Sequence, residues 1–326
     1  MRRNHLSAVL VIATVLAGCG SDEKPVATNT EPAAALVQAR KSSAPAPAQG
    51  SSEPVAAARD CPPTIATPAR SDSAPVDDIL GVRPGLTYDE AAAVVECADA
   101  RLKVVEETSR GYQMNLYGMK VRQGFNAREP EPQREMSSQE IMRQMQDEAM
   151  ARGSNRVKQD LQPGQSKFYV STMGLPGEER VVSVAREQWF EEGRNPPVES
   201  VFESLIKKYG TPTERNPNNP NFVRWNYDSM QRLITESSPL YMACQVQATP
   251  DAGNTLTPDC GLSIAALVWP LKDNPDLAQF MQITVVDQGG GFAALEATQA
   301  GLDALDAQRR QGELENAKSN ADAPEL

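Results

Sequence analysis

Apolar residues along this chain follow two periods, and the changes between them mark its elements. From Thr87 to Ala98 they recur at helical spacing, at Ala91, Ala92, Val94, Val95 and Ala98. Thr87, with Glu90 three residues on, forms a capping box that sets the helix start. Alternation over Arg101–Glu107 and Tyr112–Val121 predicts two strands. Ser137 and Glu140 make a second capping box, opening a helix to about Arg152. Its stripe of Ile141, Met142, Met145, Ala149 and Met150 suits core packing more than a docking face. Beyond Pro163-Gly164, strands are predicted over Lys167–Met173 and Arg180–Phe190. A helix follows from Pro197 to Tyr209, ended by Gly210. Next come a strand at Phe222–Tyr227, a hairpin of Leu240–Gln247 with Leu262–Trp269, a strand at Phe280–Asp287 and a last helix over Gly291–Gln311. Helices and strands mix without regular βαβ alternation. The predicted fold class is therefore α+β, with antiparallel sheet and packed helices.

The pattern is absent at both ends. Between Gly20 and Pro75 there are nine prolines and no aromatic residue, in a background of Ala, Ser, Thr and Glu. Such a stretch cannot bury enough apolar surface to offset its ordering entropy, so 19–76 reads as a disordered tether and the folded region as 77–311. Residues 312–326, rich in Ala, Asn, Asp and Glu, are expected to form a disordered tail.

Residues 1–18 follow a different logic. Arg2 and Arg3 precede an apolar run from Leu6 to Leu16, too short for the ~20 residues of a spanning helix. This is the charged, then apolar, layout of a secretory signal. The run Leu16-Ala17-Gly18-Cys19 resembles the lipobox of bacterial lipoproteins. The resemblance implies cleavage before Cys19, lipidation of its thiol and acylation of the new amino terminus. Gly20 and Ser21, rather than an aspartate, follow the cysteine. By the same resemblance, this implies a periplasm-facing protein lipid-anchored in the outer membrane.

The single histidine, His5, lies in the signal. Its loss removes Ser-His-Asp and Cys-His catalysis and histidine metal sites. Cleavage also removes Arg2 and Arg3, leaving 30 basic against 43 acidic side chains, a formal charge of −13. That balance disfavours nucleic acid and anionic lipid surfaces as partners. Cys61, Cys97, Cys244 and Cys260 remain after Cys19, an even number that reads as disulfides in an exported chain. Cys244 and Cys260 flank a turn-rich segment and are natural partners, which leaves Cys61 for Cys97.

Chemistry beyond this is sparse. Gly289-Gly290-Gly291 stands where a helix N-terminus could hold phosphate, but reads better as a turn into the last helix. Asp251, Asn254 and Asp259 lack the spacing of a calcium loop. Trp189, Trp225 and Tyr227 would suit a sugar platform, yet aromatics in strands are more often core. No cofactor, metal or catalytic residue is expected. A carboxylate-only enzyme acting on cell wall or glycan stays open, because such chemistry needs just two acids.

Two segments share a further likeness. Gly81-Val82-Arg83-Pro84-Gly85-Leu86-Thr87, entering a helix through Glu90, resembles the helix start of SmpA/OmlA-type lipoproteins of outer-membrane β-barrel assembly. Leu205-Ile206-Lys207-Lys208-Tyr209-Gly210-Thr211-Pro212, followed by Phe222, Trp225 and Tyr227, resembles their helix-to-strand passage. These modules are related in shape to β-lactamase-inhibitor proteins. The likeness implies two degenerate helix-plus-sheet modules, 77–153 and 162–311. It also implies a non-enzymatic protein-binding or scaffold role with an envelope protein as partner, inhibition of a hydrolase being the alternative on this basis.

Overall fold

A computed structural model describes residue 61, residues 74–107, 112–130, 161–215, 219–249 and 255–320, and parts of 137–146. All belong to one compact unit, Pro54–Leu326. Seven strands form one antiparallel sheet: β1 (Lys103–Glu107), β2 (Gly124–Arg128), β3 (Ser166–Met173), β4 (Arg180–Trp189), β5 (Phe222–Asp228), β6 (Cys260–Pro270) and β7 (Ala278–Asp287). Their order across the sheet is β1-β2-β3-β4-β7-β6-β5. Three helices lie wholly among the described residues, α1 (Tyr88–Ala98), α2 (Val198–Tyr209) and α3 (Gln288–Asn320), and further helical residues fall within 138–146. The mixed α+β architecture is the one the periodicity called for.

Helices α1 and α2 cover one face. The register aligns Phe125, Val170, Val184, Val285, Ile264 and Trp225 across six strands, so one face carries an apolar row. That row joins Ala91 and Val95 of α1 and Phe202 and Leu205 of α2 in a single buried cluster. Helix α1 starts on its expected capping box: Glu90 N–H donates to Thr87 Oγ1 at 3.2 Å and Thr87 N–H to Glu90 Oε2 at 2.8 Å. Helix α2 ends at Gly210, whose φ of 84° favours glycine, and Trp225 Nε1 donates to the Gly210 carbonyl at 2.8 Å.

Helix α3, residues 244–248 and Leu256 lie against the second face. Two of the three glycines in the first turn of α3 let it approach closely. A Cβ on Gly289 would come within 2.5 Å of the Cys260 carbonyl oxygen, and one on Gly291 within 2.9 Å of Leu256. They are the first turn of the helix rather than a turn leading into it, and Asp287 Oδ1 accepts from Gly290 N–H at 3.0 Å.

Three expectations change. Tyr112–Val121 is not a strand: Tyr117 and Gly118 both take positive φ and turn the chain, and the strand begins at Gly124. Leu240–Gln247 forms no hairpin with Leu262–Trp269. Strand β6 is already flanked by β5 and β7, so 240–247 is laid across the sheet face instead. There Ser263 Oγ and Gln288 Nε2 donate to the Cys244 carbonyl at 3.1 and 2.9 Å, and Thr284 Oγ1 to that of Ala248 at 3.1 Å. Finally, α3 continues past Gln311 to Asn320, so residues 312–320 of the expected disordered tail are helical. Arg309–Glu313 and Gln311–Glu315 contacts at 2.7 and 3.2 Å support this exposed stretch.

Candidate functional site

The cysteines come first. Cys61 is bridged to Cys97 at the end of α1, with Cα atoms 5.7 Å apart, and Cys244 to Cys260 at 5.5 Å. Cys19 lies outside the described residues, as do Asp251 and Asn254; Asp259 is exposed. The three candidate sugar-binding aromatics do not meet. Trp225 is fully buried under α2, 5.4 Å from the Tyr209 ring, whereas Trp189 stacks on Phe280 at 4.7 Å within a separate cluster. Tyr227 is half-buried beside the main core. Among the described residues, Trp269, 49% exposed and stacked 6.0 Å from Phe280, and Tyr117, 43% exposed, present their rings to solvent. Trp269 went unnoticed because alternation in β6 assigns it a sheet face without saying how far the covering layer extends.

Carboxylates inside the fold are taken up by arginines. Glu179, 2% exposed, bonds Arg122 Nη2 at 3.0 Å and accepts from the main chain of Arg122 and Gly177 at 3.1 and 3.0 Å. Burial acts to raise its pKa, but these hydrogen bonds outweigh it and hold the carboxyl below its ordinary value. The Arg122 guanidinium also lies 4.2 Å from the Tyr88 ring centroid and pairs with Asp89 at 2.9 Å. Burial and the nearby Glu106 carboxylate push the Tyr88 hydroxyl up to about 12. Glu214 pairs with Arg224 at 2.9 Å, and Asp228 with Arg232 at 2.7 Å. The hydrogen bonds from Arg232 hold the Asp228 carboxyl down as well. A general acid needs the opposite environment, one that raises its pKa. Among the described residues, no group of three or more acidic, cysteine or histidine side chains is placed to hold a metal.

The two sheet edges are treated differently. On β5 the outward main-chain groups are occupied. Arg224 exchanges two hydrogen bonds with Glu214 at 3.0 and 3.2 Å, and Asn226 N–H donates to Thr213 Oγ1 at 2.9 Å. The Asn226 carbonyl accepts from Ile234 N–H at 2.8 Å, and Asp228 N–H donates to the Arg232 carbonyl at 2.9 Å. On β1 the only outward main-chain contact among the described residues is Val104 N–H with Glu96 Oε1, at 3.5 Å. Lys103, Val105 and Glu106 are exposed there, Val105 by 53%.

The methionine-bearing segment is partly described. Its capping box is present, with Glu140 N–H on Ser137 Oγ at 3.3 Å and Ser137 N–H on Glu140 Oε2 at 2.9 Å. Met142 is 59% exposed rather than packed; Ile141, Met145, Ala149 and Met150 lie outside the described residues. No helix among the described residues is long and apolar enough to cross a membrane. No family model matches this chain, and neither a curated protein nor a solved structure matches it.

Proposed function

We propose that this chain is a non-enzymatic envelope lipoprotein that binds another protein along β1. Anchored through acyl chains on Cys19 at the periplasmic face of the outer membrane, it acts as a tethered docking module. The observation that carries the binding role is the contrast between the edges: β5 is closed by its own chain, whereas β1 offers a strand edge. An uncovered edge is a template for strand addition by a partner, with main-chain hydrogen bonds supplying affinity. The lipobox at Leu16–Cys19 supports the anchor. About forty residues separate Cys19 from Cys61, a reach of roughly 130 Å at the polyproline II rise of about 3.1 Å per residue.

The strand order also favours two modules. Strands β2-β3-β4 and β5-β6-β7 mirror one another about the β4–β7 pair, and a helix precedes each set. In this reading the first module runs through β4, not to residue 153, because β3 pairs with β2 from Lys167 to Ser171. Helix-plus-sheet modules joined edge to edge agree with the SmpA/OmlA and inhibitor-protein likeness of the two segments.

Palmitate labelling and photo-crosslinking in intact cells test both parts. Wild type is expected to take the label, and Cys19→Ala to lose it and accumulate as precursor. Label persisting in Cys19→Ala overturns the anchor. A photo-reactive residue at position 105 is expected to capture protein, and one at position 213, on the closed edge, to capture none. Equal yields at the two positions overturn the docking edge.

A further inference from the structure

The sequence of β1 is complementary to itself, and we propose that the partner at this edge is a second copy of the same chain. This rests on the docking-edge reading above. Strand backbones alternate the direction of their hydrogen-bonding groups, so the two sides of β1 can be assigned. The Glu107 carbonyl accepts from Gln123 N–H at 3.0 Å on the β2 side, whereas Val104 N–H faces Glu96 on the other. The groups of Val104 and Glu106 therefore point outward, and those of Lys103, Val105 and Glu107 towards β2. Two β1 strands related by a two-fold axis at Val105 set Val104 opposite Glu106 of the second copy, and Glu106 opposite its Val104. These are the residues with outward groups, and they exchange about four main-chain hydrogen bonds. The long contact from Glu96 gives way to a strand bond.

Side chains fit the same register. Lys103, Val105 and Glu107 share one face, because side chains alternate along a strand. With Val105 on the axis, Lys103 of each copy meets Glu107 of the other, and the two exposed valines face each other. Opposite charges directly across a strand pair stabilise it and like charges destabilise it. Centring on Glu106 instead would set that carboxylate against its own copy, and centring on Val104 would leave Lys103 facing Val105. The interface is short, below the area of a stable soluble dimer, so pairing depends on the concentration that a shared membrane surface provides.

The test is disulfide trapping of the full-length chain in the envelope. Residues at the axis form a non-hydrogen-bonded pair with Cα atoms ~4.5 Å apart, within reach of a disulfide. Val105→Cys under mild oxidation is expected to give a covalent homodimer that reverts to monomer on reduction. Adding Lys103→Glu should lower its yield about tenfold, since it sets like charges across the pair, and adding Glu107→Lys to that variant should restore it. A homodimer indifferent to Lys103→Glu overturns the proposal, as does equal yield from Met230→Cys, which is also well exposed. Trapping of a different protein with no homodimer overturns self-pairing while the docking edge stands. No adduct of either kind overturns both.

Discussion

Glu179 anchors two segments at once, because Arg122, through both its main chain and its guanidinium, and Gly177 all bond its carboxylate. Removing one partner of a buried ion pair leaves the other without compensation, so Glu179→Gln is expected to cost about 3 kcal/mol in urea unfolding at pH 7. The figure is taken from the low end because Arg122 keeps some solvent contact and Asp89 as a second partner. The sign with pH follows from the lowered pKa. Wild type holds this stabilisation above the unfolded carboxyl value of about 4.3 and loses it as pH falls through the lower folded value. The gap between wild type and Glu179→Gln should therefore narrow on acidification; a gap that widens refutes the assignment. Disulfides act at the same scale. From sequence separations of 36 and 16, the chain-entropy model gives about 4 kcal/mol for Cys61–Cys97 and about 3 kcal/mol for Cys244–Cys260. Cys97→Ala and Cys244→Ala should lower the unfolding midpoint in that order.

At the scale of elements, α3 is two helices in one. Its first half packs on the sheet, with Thr298, Leu302 and Asp306 buried; from Ala307 onward it is almost wholly exposed. Two glycines separate the halves experimentally. Gly289→Ala would drive a methyl group against the Cys260 carbonyl, and that overpacking of about 1–3 kcal/mol exceeds the gain in helix propensity of about 1 kcal/mol. Gly312→Ala meets nothing within 4 Å, so only the propensity gain remains. The first should lower the thermal midpoint. The second should leave it in place while slowing amide exchange near residue 312. A destabilising Gly312→Ala would mean that this stretch packs against something.

For the whole molecule, the sheet decides what proteases can reach. Cleavage is expected to trim the N-terminal segment until it stalls near Cys61–Asp77, and to remove the exposed end of α3, leaving a fragment close to Asp77–Gln311. The Cys61–Cys97 bridge should keep any piece nicked between residues 62 and 73 attached until reduction. Mass spectrometry of the digest, with and without reductant, reads both outcomes. First cleavage within Val198–Tyr227 would contradict the burial of Phe202 and Leu205, on the inner side of α2, and of Trp225.

Local patterns were legible wherever local chemistry sets the outcome. The Thr87–Glu90 box fixes the start of α1, Gly210 the end of α2, and alternation finds β3, β4 and β7, because cap geometry and side-chain period need no distant partner. Loop length and compartment likewise pointed to both cysteine pairs. What alternation could not supply is which strand lies beside which. The run 240–247 has strand character but finds both sides of β6 taken, so it crosses the sheet face instead. The Gly289–Gly291 run looks like a flexible turn until Cys260 and Leu256 come close enough to exclude a side chain. Trp189 and Trp225 look alike in sequence, yet face opposite sides of the sheet. The outer position of β1, on which the proposed docking rests, belongs to the same class. Lys103–Glu107 is written in the chain as an ordinary charged strand, and only the sheet order leaves it outermost, with Val104 and Glu106 turned away from β2.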